Sequence, residues 1–317
     1  MTDQLVPDSP STVPPDVPPT GVVGLGDIGR GVAGCLAKAG VNLTVCDLRP
    51  DAVARFADRA RVATSPADLA GTSRVTVVAV VDDDQVRSVV AGPGGLLGGG
   101  RSGDSIVVVS TIATDTVVEL AARAAEVGVS LVDCGVSGGP AAAADGELVC
   151  MVGGEPEAVA RVGPVLGVIG SEVLHMGSLG AGLSAKLARN IVQYGSWLAA
   201  YEGQLLAEAA GIDLAMLAQA IRASDRRIGG ASTLMFRPTV APLRVDVPTE
   251  AGLIEPLGAA ARLAHKDLRS ALALADALDI PLPLAQLTDA HCDAIFGVGQ
   301  TPSGGDSGVG QTGGSAR

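Results

Sequence analysis

From residue 21 onward the chain alternates between short blocks of apolar, often β-branched residues and longer stretches whose apolar positions return every three or four residues. The first block, Gly21-Val-Val23, runs into Gly24-Leu-Gly-Asp-Ile-Gly29 and then into a helical pattern that reaches Ala39 and closes at Gly40. Leu43-Thr-Val-Cys46 predicts a second strand, ending at Asp47. Arg74–Val81 and Ser105–Val109 are apolar without strict alternation, which is the pattern of strands covered on both faces in a parallel sheet. Leu131–Cys134, Leu148–Val152 and Glu172–Met176 are predicted to complete that sheet, and helices are predicted over Pro50–Arg61, Asp84–Val90, Asp115–Glu126 and Glu155–Leu166. Gly92–Gly100 reads as a flexible loop. Repeated strand–helix units predict an α/β fold with a Rossmann-type doubly wound sheet.

At Leu183 the period changes. Leu183, Leu187, Ile191, Tyr194, Leu198, Tyr201 and Leu205 recur at spacings of three and four, predicting one long helix that Gly211 ends. Helices over Leu214–Ala223, Pro256–Leu278 and Leu284–Phe296 follow, so the C-terminal half is predicted to be all-α and joined to the sheet by the long helix. Residues 225–255 read as irregular and carry Arg226, Arg227, Arg237 and Arg244, which suit either a second acidic group of a substrate or a solvated surface. Residues 1–20 hold six prolines, and 299–317 are rich in Gly and Ser; neither end has the apolar content to order itself. The predicted organisation is a leader over 1–20, a nucleotide-binding domain over 21–182, a helical domain over 183–298 and a tail over 299–317.

Composition narrows the function. With 47% hydrophobic residues but six aromatics in all, the core has to be built from aliphatic side chains. A formal charge of −12 argues against a nucleic acid or an anionic membrane as partner, because both reward clustered Lys and Arg. A small anionic substrate remains compatible, since a pocket needs only local positive groups. No stretch reads as a membrane span or a signal peptide, and five scattered cysteines without a CxxC fit reduced core thiols, so the cytoplasm is the expected location. No metal site follows from them.

Gly24-x-Gly26-x-x-Gly29 is weak evidence alone, but here it leaves a strand, opens a helix and precedes an acid at the end of the next strand. Those are the requirements of dinucleotide binding: a tight turn, close approach to a pyrophosphate at a helix N-terminus, and a carboxylate for ribose hydroxyls. The alternative is a glycine turn used only for packing. Asp47 would repel a 2′-phosphate and so favours NAD over NADP, although Arg49 two residues later could bind that phosphate. Further on, Val80, Val81, Ser110 and Thr111 fall at strand ends, on the carboxyl edge where ligands bind such sheets. Ser137-Gly138-Gly139 follows a strand and offers backbone N–H groups for a carboxylate, or is an ordinary turn. Lys186 and Asn190, four apart on a helix, share one face; a solvated face explains an arbitrary pair of this kind equally well. His175, within a strand, reads as structural.

Four of these stretches, in this order, resemble the β-hydroxyacid dehydrogenase family over roughly residues 20–298. Gly24-Leu25-Gly26-Asp27-Ile28-Gly29 resembles the cofactor turn, with Ile28 where Met is usual. Asp133-Cys-Gly-Val-Ser-Gly-Gly139 resembles the substrate motif, with Gly135 in place of the usual proline. Gly180-Ala-Gly-Leu-Ser-Ala-Lys186 with Asn190 resembles the catalytic motif, and Lys266-Asp267-Leu268 a late motif near the nicotinamide. The resemblance implies an NAD(P)-dependent oxidoreductase that interconverts a small β-hydroxy acid and its semialdehyde or keto form. It implies that Gly24–Gly29 and Asp47 hold the dinucleotide, and that Val81, Thr111 and Lys266 line its nicotinamide half. Ser137, Gly138 and Gly139 would hold the substrate carboxylate, Lys186 would be the general acid/base and Asn190 would orient the reacting oxygen. It also implies a homodimer or homotetramer. Arg189 stands where the related 6-phosphogluconate dehydrogenases carry a histidine, which argues against decarboxylation. Imine reductases share the architecture but usually replace the lysine, so imine reduction with NADPH ranks behind, as does a non-catalytic nucleotide-binding protein of the same fold.

Overall fold

The computed structural model describes residues 17–298 apart from 232, 234, 236 and 238. The predicted tail and the first sixteen residues of the predicted leader lie outside the described residues. The chain divides into two compact units, Met1–Asn190 and Ile191–Arg317, with the division inside the long helix.

The first unit is the sheet. Its elements are β1 (Thr20–Val23), α1 (Asp27–Lys38), β2 (Leu43–Cys46), α2 (Pro50–Ala54), β3 (Arg61–Val62), α3 (Pro66–Ala70), β4 (Val75–Val78), α4 (Asp83–Ala91), β5 (Ser105–Val108), α5 (Thr114–Glu126), β6 (Ser130–Ser137), α6 (Gly139–Asp145), β7 (Leu148–Gly153), α7 (Pro156–Ile169) and β8 (Gly170–Gly177). Among the described residues these strands form one sheet in the order β3-β2-β1-β4-β5-β6-β7-β8, parallel except between β6 and β7. Burial on both faces follows the composition: every residue of β1, β2, β4 and β5 is buried. One face packs Val22, Val45, Val77, Val107 and Val132 against Val32 and Leu36 of α1 and Val162 and Leu166 of α7. The other packs Val23, Val78 and Val108 against Leu69, Val86, Val117 and Leu120. Each such buried side chain contributes about 1.5–3 kcal/mol, so an aliphatic core of this extent needs no aromatic help.

The sheet unit departs from the sequence reading at several points, among them the unpredicted helix α6. Thr20, assigned to the leader, begins β1. The helix predicted to reach Arg61 stops at Ala54, and Arg61–Val62 pairs beside β2 instead. A short helix at Pro66–Ala70, capped by Ser65 on the N–H of Asp68, had no sequence expectation. Gly92–Gly100 is not a flexible loop: it holds a 3-10 turn, Leu96–Gly98, whose Leu96 is buried in the core. The strand predicted to end at Cys134 continues through Ser137, because β7 pairs along its extra length.

The second unit is helical. The helix α8 (Ala181–Ala209) starts in the sheet unit and runs into it, followed by α9 (Leu214–Ile228), α10 (Pro248–Ala277) and α11 (Pro283–Phe296). Residues 225–255 are thus partly helical, contrary to the irregular reading; α10 starts at Pro248 rather than Pro256, which lies inside it. Glu202 of α8 is buried and accepts the N–H groups of Leu284 and Ala285 at 2.7 and 3.0 Å, capping α11. Of the apolar stripe on α8, Leu183 is fully buried, whereas Leu187, Ile191, Tyr194, Leu198 and Tyr201 are exposed. Among the described residues no helix is long and apolar enough to cross a membrane, and all five cysteines are free thiols.

Candidate active site

The register of the parallel strands defines one edge. Cys46, Val23, Val78, Val108 and Asp133 are level with one another across β2, β1, β4, β5 and β6. Beyond that level β6 continues alone for Cys134–Ser137, and this overhang is what β7 pairs with, from Asp133 opposite Gly153 to Ser137 opposite Val149. Everything the sequence marked in the sheet unit lies at or above this edge.

The glycine turn leaves β1 there. Gly24 has φ +87°, and a side chain on it would strike the carbonyl of Ala79; one on Gly29 would strike the carbonyl of Gly24. Both are therefore demanded by the protein's own backbone. Gly26 is different. Among the described residues no heavy atom lies within 4 Å of where its Cβ would be, so the space it leaves open faces outward at the N-cap of α1. A dinucleotide pyrophosphate fits that arrangement, since the first N–H groups of α1 point into it and Gly26 has no side chain to offer them. Leu25 is buried, Ile28 half-buried, and Asp27 exposed and paired with Arg30 at 3.4 Å.

Asp47 accepts the Leu25 N–H on Oδ2 at 2.6 Å, tying the second strand to the turn, while Arg49 donates its backbone N–H and Nε to Oδ1 at 2.8 and 3.1 Å. Burial would raise the Asp47 pKa; the Arg49 and Leu25 bonds outweigh it and hold the carboxyl below its ordinary value. Val81, largely exposed, and Thr111, also exposed, stand past the ends of β4 and β5. Their turns are joined by Ser110, whose hydroxyl accepts the Val80 N–H at 2.9 Å.

The Ser137-Gly138-Gly139 turn is brought beside the Gly24–Gly29 turn by helix packing. A Cβ on Gly31 of α1 would lie 2.7 Å from that of Ala143 in α6, and one on Gly146 would lie 3.0 Å from the sulfur of Cys35. Contacts that advance together along both helices make α1 and α6 parallel neighbours, so their N-termini, at Asp27 and Gly139, point to the same end. Ser137 is half-buried; Gly138 at φ +130° makes the turn from β6 into α6, a conformation a side chain would resist.

Lys186 and Asn190 belong to the part of α8 that packs within the sheet unit, and both are half-buried. Lys186 sits on Gly135, where any Cβ would collide with its own. The absence of a side chain at Gly135 thus lets the helix approach closely. Burial lowers the Lys186 pKa below its ordinary value, and Arg189 lowers it further. Alternate residues of a strand share a face, so Gly135 under the lysine and Ser137 look the same way. His175 bonds to the carbonyls of Gly154 and Gly177, both at 2.9 Å, a structural role. Lys266 lies on α10 in the helical unit, exposed and 3.1 Å from Asp267. Of the arginines in 225–255, Arg244 is paired with Asp246 at 2.6 Å. Among the described residues no group of three or more His, Cys, Asp or Glu could hold a metal ion.

Sequence reasoning passed over Asp133, which is fully buried and bonded to α8. Its signal was available: an acid inside a strand covered on both faces must have partners for its charge.

Two family models match the chain in succession: the NAD binding domain of 6-phosphogluconate dehydrogenase over residues 19–177, and the NAD-binding model of NADP-dependent 3-hydroxyisobutyrate dehydrogenase over residues 180–304. The chain belongs to the β-hydroxyacid dehydrogenase family. It is an NAD(P)-dependent oxidoreductase. An uncharacterised oxidoreductase of Mycobacterium tuberculosis is 41% identical over 90% of this chain and 96% of its own length. A 3-hydroxyisobutyrate dehydrogenase of Pseudomonas aeruginosa is 33% identical over 84% of this chain and 88% of its own. Among solved structures, an oxidoreductase from Mycobacterium avium superposes with a TM-score of 0.80 at 37% identity, over 89% of this chain and 99% of that one. An imine reductase from Myxococcus stipitatus, 19% identical with a TM-score of 0.71 over 88% of this chain and 98% of its own, shares the fold alone.

Proposed function

We propose that this dehydrogenase interconverts a small β-hydroxy acid and its semialdehyde or keto form, with Lys186 as general acid/base. One observation carries the reading: a lysine with a lowered pKa, partly desolvated, is seated on the same strand face as Ser137 and at the edge where the glycine turn lies. The domains that serve it are residues 21–182 for the nucleotide and 183–298 for the helical half. The turn Gly24–Gly29 and Asp47 bind the dinucleotide, NAD in preference to NADP because Asp47 stays charged where a 2′-phosphate would lie. Val81 and Thr111 line the nicotinamide half. A bound nicotinamide supplies the acceptor and donor of hydride. Ser137 and the N–H groups of Gly138 and Gly139 hold the substrate carboxylate, and Asn190, one turn beyond Lys186, orients the reacting oxygen without titrating.

In oxidation the neutral amine of Lys186 takes the hydroxyl proton; in reduction its ammonium returns one. The lowered pKa serves both directions, since a free lysine near 10.4 is almost wholly protonated at neutral pH. The kcat/KM for alcohol oxidation is therefore expected to rise with pH through the Lys186 pKa, which lies below the ordinary lysine value. The name of the Pseudomonas aeruginosa relative supports a substrate of the 3-hydroxyisobutyrate class. The exposed stripe on α8 supports a homodimer or homotetramer, and five free thiols suit a reducing compartment such as the cytoplasm.

The test is a panel of β-hydroxy acids followed at 340 nm with NAD and with NADP, beside cyclic imines with NADPH. Turnover of at least one hydroxy acid is expected, and Lys186→Ala should lower kcat by about 10² to 10⁴-fold with little change in cofactor affinity. Full activity in that variant, or turnover of imines alone, would overturn the reading.

A further inference from the structure

The mechanism above leaves unexplained a buried carboxylate on the strand face that carries Gly135 and Ser137. Asp133 has none of its surface exposed, and an ion in such a place persists only when its oxygens are bonded. Both are. Oδ1 accepts the N–H of Gly180 and Oδ2 that of Leu183, each at 2.7 Å, across 47 and 50 residues of chain. These N–H groups stand on the residue before α8 and in its opening turn, where helices leave donors without intrahelical partners and where the helix dipole favours an anion.

The two bonds fix more than a helix end. Their donors stand most of a turn apart, so a single rigid carboxylate that accepts both sets the rotation of α8 about its axis as well as its position along β6. Glycines keep this contact close. A Cβ on Gly153 of β7 would overlap Asp133 Oδ1; one on Gly182 would overlap the carbonyl of Met151 and lie 2.9 Å from Asp133 Oδ2; one on Gly135 would overlap Lys186. Helix backbone therefore rests directly on strand backbone, and Asp133 decides where. One turn after Gly182 the chain arrives at Lys186, which is why that side chain and no other lands over Gly135.

We propose that Asp133 is the positioning residue for the proton-transfer lysine: its carboxylate sets the register of α8 on β6 and so seats Lys186 over Gly135, on the face that carries Ser137. The proposal rests on Lys186 being the acid/base, as read above. Asp133 acts through the helix and touches no reacting atom. The charge acting on Lys186 is Arg189 on its own helix, while the Asp133 oxygens on β6 are committed to backbone N–H groups; burial, then Arg189, hold the lysine below its ordinary pKa. A helix that loses its anchor uncovers the lysine, and the lysine titrates higher.

The experiment measures Lys186 itself in the full-length protein. Competitive labelling with acetic anhydride across pH, read on the Lys186 peptide by mass spectrometry, gives its titration midpoint without a substrate. Asp133→Asn keeps one acceptor but presents an NH₂ to the other N–H. The midpoint is expected to rise by about half a pH unit or more, the pH profile of kcat to move with it, and kcat to fall at least about tenfold while NADH binding, followed by fluorescence, holds within about twofold. An unmoved Lys186 midpoint, whatever happens to thermal stability, would make Asp133 a support of the fold alone and overturn the proposal. Should Asp133→Asn not fold, Asp133→Glu retains charge and both acceptors but displaces them by one methylene, and Gly135→Ala lifts the same seat from the strand side. An unchanged midpoint in whichever of these folds overturns the proposal equally. Full turnover in Lys186→Ala would instead sink the acid/base reading, and the labelling result would still decide whether Asp133 seats the lysine.

Discussion

The carboxylate of Asp47 is divided between two claims, the Leu25 N–H of the glycine turn and the side chain of Arg49. On the proposed binding mode a ribose would meet both groups together: its hydroxyls would find an acceptor in Asp47, and a 2′-phosphate would reach Arg49 only by drawing it off the acid. Asp47→Ser should therefore shift the NADP to NAD ratio of kcat/KM toward NADP by about tenfold or more, the worth of one charge-assisted bond, and Arg49→Ala should shift it the other way. Steady-state kinetics with the two cofactors check this; an unaltered ratio would place Asp47 away from the ribose. At this scale the sequence was readable where a residue's role is local. Gly24, Gly29 and Asp47 make their contacts within one strand–turn–helix–strand unit, so their spacing shows that they belong to one turn. Asp133 was not, because its partners come from a helix 47 and 50 residues away and no spacing rule reaches that far.

Among the elements, α10 and α11 are held by an imidazole between two acids. His265 Nδ1 lies 2.5 Å from Asp289 and its Nε2 3.4 Å from Asp293, with Arg269 also on Asp289 at 3.3 Å. Both ring nitrogens face carboxylates, and only the imidazolium can donate to both. The bond to Asp289 raises the His265 pKa against the opposing effect of burial, with Asp293 adding to the rise; the same bond lowers that of Asp289. A raised imidazole pKa contributes stability that is complete below the unfolded value of about 6.5 and is lost as pH rises through the folded value. The depressed Asp289 contributes above its unfolded value of about 4 and loses it as pH falls. Thermal unfolding followed between pH 5 and 9 should thus show stability declining on the alkaline side, and His265→Gln should flatten that limb. A decline of equal slope in the variant would assign it elsewhere.

Element boundaries show why the rest of the fold resisted reading. Proline at a first helical position is a good start signal, and both Pro248 and Pro256 offer it; the structure uses the earlier and carries the later inside α10. Gly135 looked like the end of a strand, yet β7 keeps the backbone extended through Ser137. In each case a partner elsewhere in the chain overrode a local cue.

At the scale of the molecule, α8 is the anomaly. Ile191, Tyr194, Trp197, Leu198 and Tyr201 expose roughly half or more of their surface on one helix, where a monomer would carry charge. A second copy covering this stripe gives the homo-oligomer proposed above, and light scattering on the eluting protein should report a dimer or tetramer. Trp197→Asp should shift it toward monomer, whereas an unchanged mass would show that the stripe is covered some other way.

The overhang of β6 also limits how such a protein can diverge. Because its side chains point alternately to opposite faces, loss or gain of a single residue between Asp133 and Ser137 would throw everything after it out of phase and turn the serine toward the aliphatic layer that holds Cys134 and Val136. Evolution can lengthen or shorten the connections around the rim to admit new substrates, but these five positions can change only by replacement.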